Sequence, residues 1–294
     1  MAITFFHKKT LISDLQKVLE NYLTKDEIDL VKKAYKVAKI AHEGQYRQSG
    51  EPYIHHPLAV ALILAELELD YYCIVAAILH DCIEDTIVTK EEISETFGEQ
   101  IAHIVEGVSK LTNLEFTSNS QQQASNFQKL FFAMSKDMRV MVIKLADRLH
   151  NMRTIDSVSP ERQIQKAKET AELHAPIARR LGLHGIRVEL DDLCFQTIHP
   201  NRYGVLKRKI KNQYGNQKKM ISTIKTEIEN RLKSAGVNGD VEGRQKQPTS
   251  VYNKMKTKSL KFSEVLDMYA FRVIVENNQQ CYQALGILHS LYKP

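Results

Sequence analysis

A mainly helical fold with a small α+β part at its end is what this sequence predicts, on three observations. Apolar residues recur at helical spacing, punctuated by capping motifs, through roughly the first 200 residues. Strongly basic, helix-like segments follow. The clearest strand, MYAFRVIVE (268–276), comes only near the end. The predicted division is a helical domain over 1–195, a basic helical linker over 196–235, and the start of an α+β domain over 236–294.

Each element has a local reason. Thr24 and Glu27 form a capping box, and Ile28, Val31, Tyr35, Ala38 and Ala41 follow on one helical face up to Gly44. The turn signals Ser49-Gly50 and Glu51-Pro52 lead to His55-His56-Pro57, where Pro57 is expected to open a helix at its first position. That places His56 just outside the helix, in extended backbone. AAILHDCIEDT (76–86) is an apolar helical stretch that ends in polar residues. Thr89 and Glu92 cap another helix, which Gly98 closes. The glutamine-rich stretch 112–126 reads as a mobile loop beside the site. VMVIKLADRLHNMRT (140–154) is a helix whose apolar face carries Val142, Ile143, Leu145, Ala146 and Leu149, with Asp147 beside them. Ser159-Pro160 opens a long helix that Pro176 is expected to kink or break. Asn238-Gly239 marks a turn, and NQQCYQALGILHSLY follows the strand as a helix.

Composition narrows the class. The 294 residues are 43% hydrophobic and 26% charged, as in a soluble globular protein. The longest apolar stretches fall far short of a membrane span, and the N-terminus lacks a signal-peptide plan. Cys73, Cys82, Cys194 and Cys281 have no pairing pattern, which points to reduced thiols and a cytoplasmic location. Charge is uneven. Residues 207–261 hold 15 Lys+Arg against 4 Asp+Glu, a net of +11, whereas the whole chain carries +6. Such a stretch is either a solvated helix face or a phosphate-binding surface. No nucleic-acid-binding motif accompanies it.

The densest chemistry lies at His80-Asp81, with Glu84 and Asp85 each four residues further on. These groups are costly to bury unless a metal or a substrate engages them. His56 and Asp147 are the best additional ligands, giving two imidazoles and two carboxylates. No Cys takes part, so the set suits an open, catalytic Mn, Fe or Zn site better than a closed structural zinc site.

Four blocks, HEGQYRQSGEPYIHHP (42–57), HDCIEDT (80–86), GVSKL (107–111) and KLADRLHNMRT (144–154), occur in the order found in the RelA/SpoT alarmone enzymes. The chain closely resembles that family along essentially its whole length, and its bifunctional members most. The resemblance implies an all-helical HD-type phosphohydrolase domain that removes the 3′-pyrophosphate of guanosine tetraphosphate and pentaphosphate with Mn²⁺. It implies that His56, His80, Asp81 and Asp147 hold the ion, and that Glu84 and Asp85 position and deprotonate water. It further implies that Arg47, Ser49, Asn151 and Thr154 line the nucleotide pocket, with Arg47 against the guanine.

Gly243-Arg244-Gln245-Lys246, Lys254-Met255 and Asp267 with Arg272 resemble the start of the family's nucleotidyltransferase-like synthetase domain. By that resemblance Arg244 and Arg272 sandwich the ATP adenine, Lys246 and Lys254 meet phosphates, and Asp267 binds Mg²⁺. Gln247 and Thr249 stand where close relatives carry His and Tyr. The family's GTP-stacking segment and catalytic Glu are expected beyond Pro294, so the chain reads as a catalytic fragment without synthetase activity. Regulatory partners would need the domains that normally follow. Two other readings are a phosphohydrolase of a different nucleotide and a non-catalytic alarmone sensor. The intact Glu84-Asp85 pair argues against the sensor, which needs no water activator.

Overall fold

The capping boxes are in place in the computed structural model of the chain, which describes residues 11–112, 136–214, 218–265 and 267–292. Two helices, α1 (Ile12–Leu19) and α2 (Lys25–Ala41), lead in. The Thr24 hydroxyl caps α2 by accepting from the Glu27 N–H, and Glu27 Oε2 accepts from the Thr24 N–H at 2.8 Å. The centre of the first unit is α3 (His55–Ala65) packed on α4 (Tyr71–Leu79). In α4 every residue from Cys73 to Leu79 is buried, which explains why its sequence is apolar all round.

A single turn, α5 (Cys82–Asp85), follows α4, and then α6 (Lys90–Phe97) and α7 (Glu99–Thr112). α8 (Met138–Arg153) packs on α3 and α7. The crossing with α7 is close, because a Cβ built on Gly107 would lie 2.7 Å from Val140 Cγ2. Next come α9 (Pro160–Glu169), α10 (Ala175–Arg180) and α11 (His184–Ile198).

One sequence expectation is corrected here. The helix that Pro57 was to open begins two residues earlier, so His56 is helical and Pro57 sits in the first turn, where its missing N–H costs nothing. Near Pro176 the regular α-helix is interrupted: the chain absorbs the missing hydrogen bond as a π-helical turn over Thr170–His174, between Pro160–Glu169 and Ala175–Arg180. The glutamine-rich stretch from 113 to 126 lies outside the described residues.

The chain divides into two compact units, Met1–Thr197 and Ile198–Pro294. The second holds α12 (Pro200–Tyr214), α13 (Lys218–Ser234), β1 (Gly239–Gln245), α14 (Pro248–Lys258), β2 (Tyr269–Val275) and α15 (Asn278–Leu291). β1 and β2 pair antiparallel from Gly239↔Val275 to Gln245↔Tyr269. The basic helices carry core here. Ile228 and Leu232 of α13 pack with Val237, Val241 and Ala284, and Ile210 of α12 packs with Val251, Val265 and Met268. Among the described residues, no helix is long and apolar enough to cross a membrane.

Candidate active site

His80 and Asp81 fall in the break between α4 and α5, so their side chains leave the helix where α4 ends. The His80 ring is buried, and its Nδ1 lies 2.8 Å from the Ala77 carbonyl oxygen. A carbonyl only accepts, so Nδ1 carries the proton and Nε2 presents a lone pair. That Nε2 is buried and makes no hydrogen bond among the described residues, although it lies 3.1 Å from Asp81 Oδ1. A lone pair held against a carboxylate is costly unless a cation sits between them.

The His56 ring meets the same place from α3. Its Nε2 is 3.2 Å from Asp147 Oδ1 and 3.7 Å from Asp81 Oδ2. His56, His80 and Asp147 are all buried, and each offers a donor atom within 4.8 Å of the others. Asp81 flanks this trio and touches both imidazoles. Nitrogen and carboxylate donors without thiolate, gathered around an orphaned imidazole nitrogen, fit a divalent metal ion.

The charges agree with that arrangement. Burial alone would raise the Asp147 carboxyl, but Lys144 and the His56 ring beside it outweigh it and hold it well below the ordinary value. Lys144, one turn back on α8, places Nζ 2.9 Å from Asp147 Oδ2. Burial outweighs Asp147 at His56 and keeps that imidazole neutral, the form a metal needs. Glu84 is exposed at the cavity wall, and partial burial followed by the charges of Asp85 and Asp81 raises its carboxyl. Tyr53 ties the ligands to the acids, because its hydroxyl donates to Asp81 Oδ2 at 2.7 Å and lies 3.3 Å from Asp85 Oδ2.

His56, Asp81, Asp147, Lys144, Tyr53, Glu84 and Asp85 line a cavity of about 250 Å³ that also receives Arg47, Asn151, Arg148 and Lys166; the buried His80 is not part of its wall. Burial and the neighbouring Arg148 lower the Lys166 ammonium. Of the predicted pocket residues, Arg47 and Asn151 are brought to the cavity and Ser49 and Thr154 are not. Ser49 is exposed in the turn before α3. Thr154 caps α8, and its hydroxyl is taken up by the His150 carbonyl at 3.1 Å. Sequence reasoning missed Tyr53, Lys144 and His150. The last two stand three residues either side of Asp147, so helical spacing pointed to them. Tyr53 carries no such signal.

In the second unit, Asp267 ion-pairs with Lys246 and, at 2.6 Å, with Lys254. The two lysines and then burial set against them leave its carboxyl lowered to about 2. Arg272 is exposed on β2 opposite Glu242, and Arg244 pairs with Ala270 two residues along the same ladder.

Comparison with known proteins fits both units. Residues 34–184, about half of the chain, match the HD domain family, and residues 243–294 match the region found in RelA / SpoT proteins. The bifunctional (p)ppGpp synthase/hydrolase SpoT of Escherichia coli is 50% identical over 284 residues, covering 97% of this chain and 40% of SpoT. The guanosine-3′,5′-bis(diphosphate) 3′-pyrophosphohydrolase of Vibrio cholerae shows the same identity and coverage. A GTP pyrophosphokinase of Myxococcus xanthus is 43% identical over 94% of this chain and 37% of its own. The chain thus spans about two fifths of the length of these relatives. A solved metazoan orthologue of SpoT superposes with a TM-score of 0.43 at 24% identity, over 58% of this chain and 96% of its own, too loosely to carry an argument. With an HD-domain match across the buried His/Asp cluster and the RelA/SpoT region following it, the chain belongs to the HD-domain family and to the RelA/SpoT proteins.

Proposed function

We propose that the first unit hydrolyses guanosine tetraphosphate and pentaphosphate at the 3′-pyrophosphate, releasing GDP or GTP and pyrophosphate, and that Mn²⁺ is its metal. The observation that carries this reading is the bare, buried Nε2 of His80, set among Asp81, His56 and Asp147 beside a cavity whose wall joins carboxylates to the cations Arg47, Lys144, Arg148 and Lys166. The names of the Escherichia coli and Vibrio cholerae relatives supply the substrate.

His56, His80, Asp81 and Asp147 would hold the ion. Bound there, a divalent cation supplies charge neutralisation for the pyrophosphate and a more acidic water. Glu84 accepts the proton of the attacking water, and its raised carboxyl makes it a better base than an ordinary glutamate. Asp85, tied through Tyr53 to Asp81, orients that water. Water oxygen bonds to phosphorus as the phosphorus–O3′ bond breaks, and the 3′-oxygen takes up a proton. Arg47 offers a planar guanidinium to the guanine, and Asn151 fixes its orientation by accepting from Arg47 NH2 at 2.6 Å. Lys144, Arg148 and Lys166 oppose the negative charge of the phosphates. Ser49 and Thr154 keep a pocket role by family resemblance alone.

The functional division we propose is a hydrolase over 1–195, a helical connection over 196–235 and the ATP side of a synthetase from 236. There Asp267 would take Mg²⁺, and Lys246 and Lys254, gathered on it, would turn to phosphates.

The test is to incubate the purified chain with guanosine tetraphosphate, with and without Mn²⁺, and to identify the products. GDP plus pyrophosphate, formed only with the metal, is expected. Release of orthophosphate, or full turnover in excess chelator, overturns the reading.

A further inference from the structure

His56 can hold a cation through Nε2 only if its ring proton sits on Nδ1. A buried N–H needs an acceptor. Among the described residues, two groups lie within reach of His56 Nδ1: His150 Nδ1 at 2.7 Å and Arg47 NH1 at 3.0 Å. A guanidinium has no acceptor, so His150 must be the partner. Arg47 NH1 also lies 3.0 Å from His150 Nδ1, which therefore takes both donors in a three-centre arrangement. Because the guanidinium only donates, the His150 Nδ1 that it reaches presents a lone pair and is able to accept. The next residue repeats the pattern. Asn151 Nδ2 donates to Asp147 Oδ1 at 2.6 Å, while Asn151 Oδ1 accepts from Arg47. One guanidinium is thus seated on two consecutive residues, and each of these touches a different ligand of the proposed centre.

We propose that His150 is a positioning residue of the metal centre: its Nδ1 accepts the His56 Nδ1 proton and so fixes the tautomer that presents Nε2, while Arg47 holds His150 in that accepting role. The inference rests on the metal site proposed above. It follows that Arg47, offered to the nucleotide on one side, supports metal binding on the other.

Calorimetric titration of the metal-free full chain with MnCl₂ tests this without reference to turnover. His150→Leu removes the acceptor and is expected to weaken Mn²⁺ binding by about 10-fold or more, the usual effect of losing a group that orients a ligand. His150→Asn places an amide oxygen where Nδ1 stood and is expected to recover most of that loss. Arg47→Met, a change at a half-buried side chain, is expected to weaken Mn²⁺ binding by about 3-fold, and it decides the matter if His150→Leu does not fold. Unchanged affinity in His150→Leu or in Arg47→Met, or His150→Asn as weak as His150→Leu, overturns the proposal and leaves the metal site standing. A wild-type chain that binds no Mn²⁺ overturns both.

Discussion

Glu84 stands outside the buried ligand cluster, exposed at the cavity wall, whereas Asp147 is buried between Lys144 and His56. Their substitutions therefore separate chemistry from assembly. Glu84→Gln keeps the shape and removes the proposed base, so turnover should fall by about 10²-fold or more. Mn²⁺ affinity, measured by calorimetry, should be unchanged; a lost binding signal would make Glu84 a ligand. Asp147→Ala should abolish both Mn²⁺ binding and hydrolysis. It should also cost about 3 kcal/mol in urea unfolding, because buried Lys144 loses its counter-charge. The double variant Asp147→Ala/Lys144→Met should recover much of that stability and none of the metal binding. A double variant no more stable than Asp147→Ala would show that the Lys144–Asp147 pair is not what the fold depends on here.

The elements that carry the site are held by close packing, and α8 is the most exposed to error. It brings Asp147, His150 and Asn151 to the cavity and crosses α7 where only Gly107 leaves room for Val140. Gly107→Ala would gain about 1 kcal/mol of helix propensity. The new methyl must displace a stiff, buried β-branched side chain 2.7 Å away, and overpacking of this kind costs about 1–3 kcal/mol. We expect net destabilisation and weaker Mn²⁺ binding, as α8 shifts with its ligand. Val140→Ala should cost less stability in the Gly107→Ala background than in the wild type, and equal costs in thermal unfolding would remove the steric explanation. β1 shows the same principle. Gly243 lies where a Cβ would meet Ile221 at 2.7 Å and Phe271 at 2.9 Å, so the strand admits glycine for packing and not for its β-propensity.

At the scale of the molecule, the proposed ligands come from α3, the α4–α5 break and α8, all in the unit Met1–Thr197. Metal binding therefore links to the stability of that unit. At 100 times its dissociation constant Mn²⁺ should add about 2.7 kcal/mol, since the unfolded chain has no such site. Hydrogen exchange read by mass spectrometry should slow in α3, α4 and α8 on addition of Mn²⁺ and return with chelator. β1 and β2, which hold none of the ligands, should be unaffected. Protection confined to β1 and β2 would place the ion at Asp267 instead.

What the sequence determined alone is what short-range chemistry decides. Thr24/Glu27 and Thr89/Glu92 satisfy the N–H groups of their own helices, so α2 and α6 begin where the capping residues say. β2 was legible because YAFRVIV is rich in β-formers. His80, Asp81, Glu84 and Asp85 stand together within six residues, so their association needed no fold. The tertiary structure decided the rest. β1, GDVEGRQ, has one valine and becomes a strand by pairing with β2. Tyr53 reaches Asp81 across 28 residues of chain, His56 reaches His150 across 94, and Arg47 reaches Asn151 across 104. No local pattern records such distances. Those contacts exist because burying α3, α4 and α8 against one another brings their polar residues to one point, where each buried donor must find an acceptor.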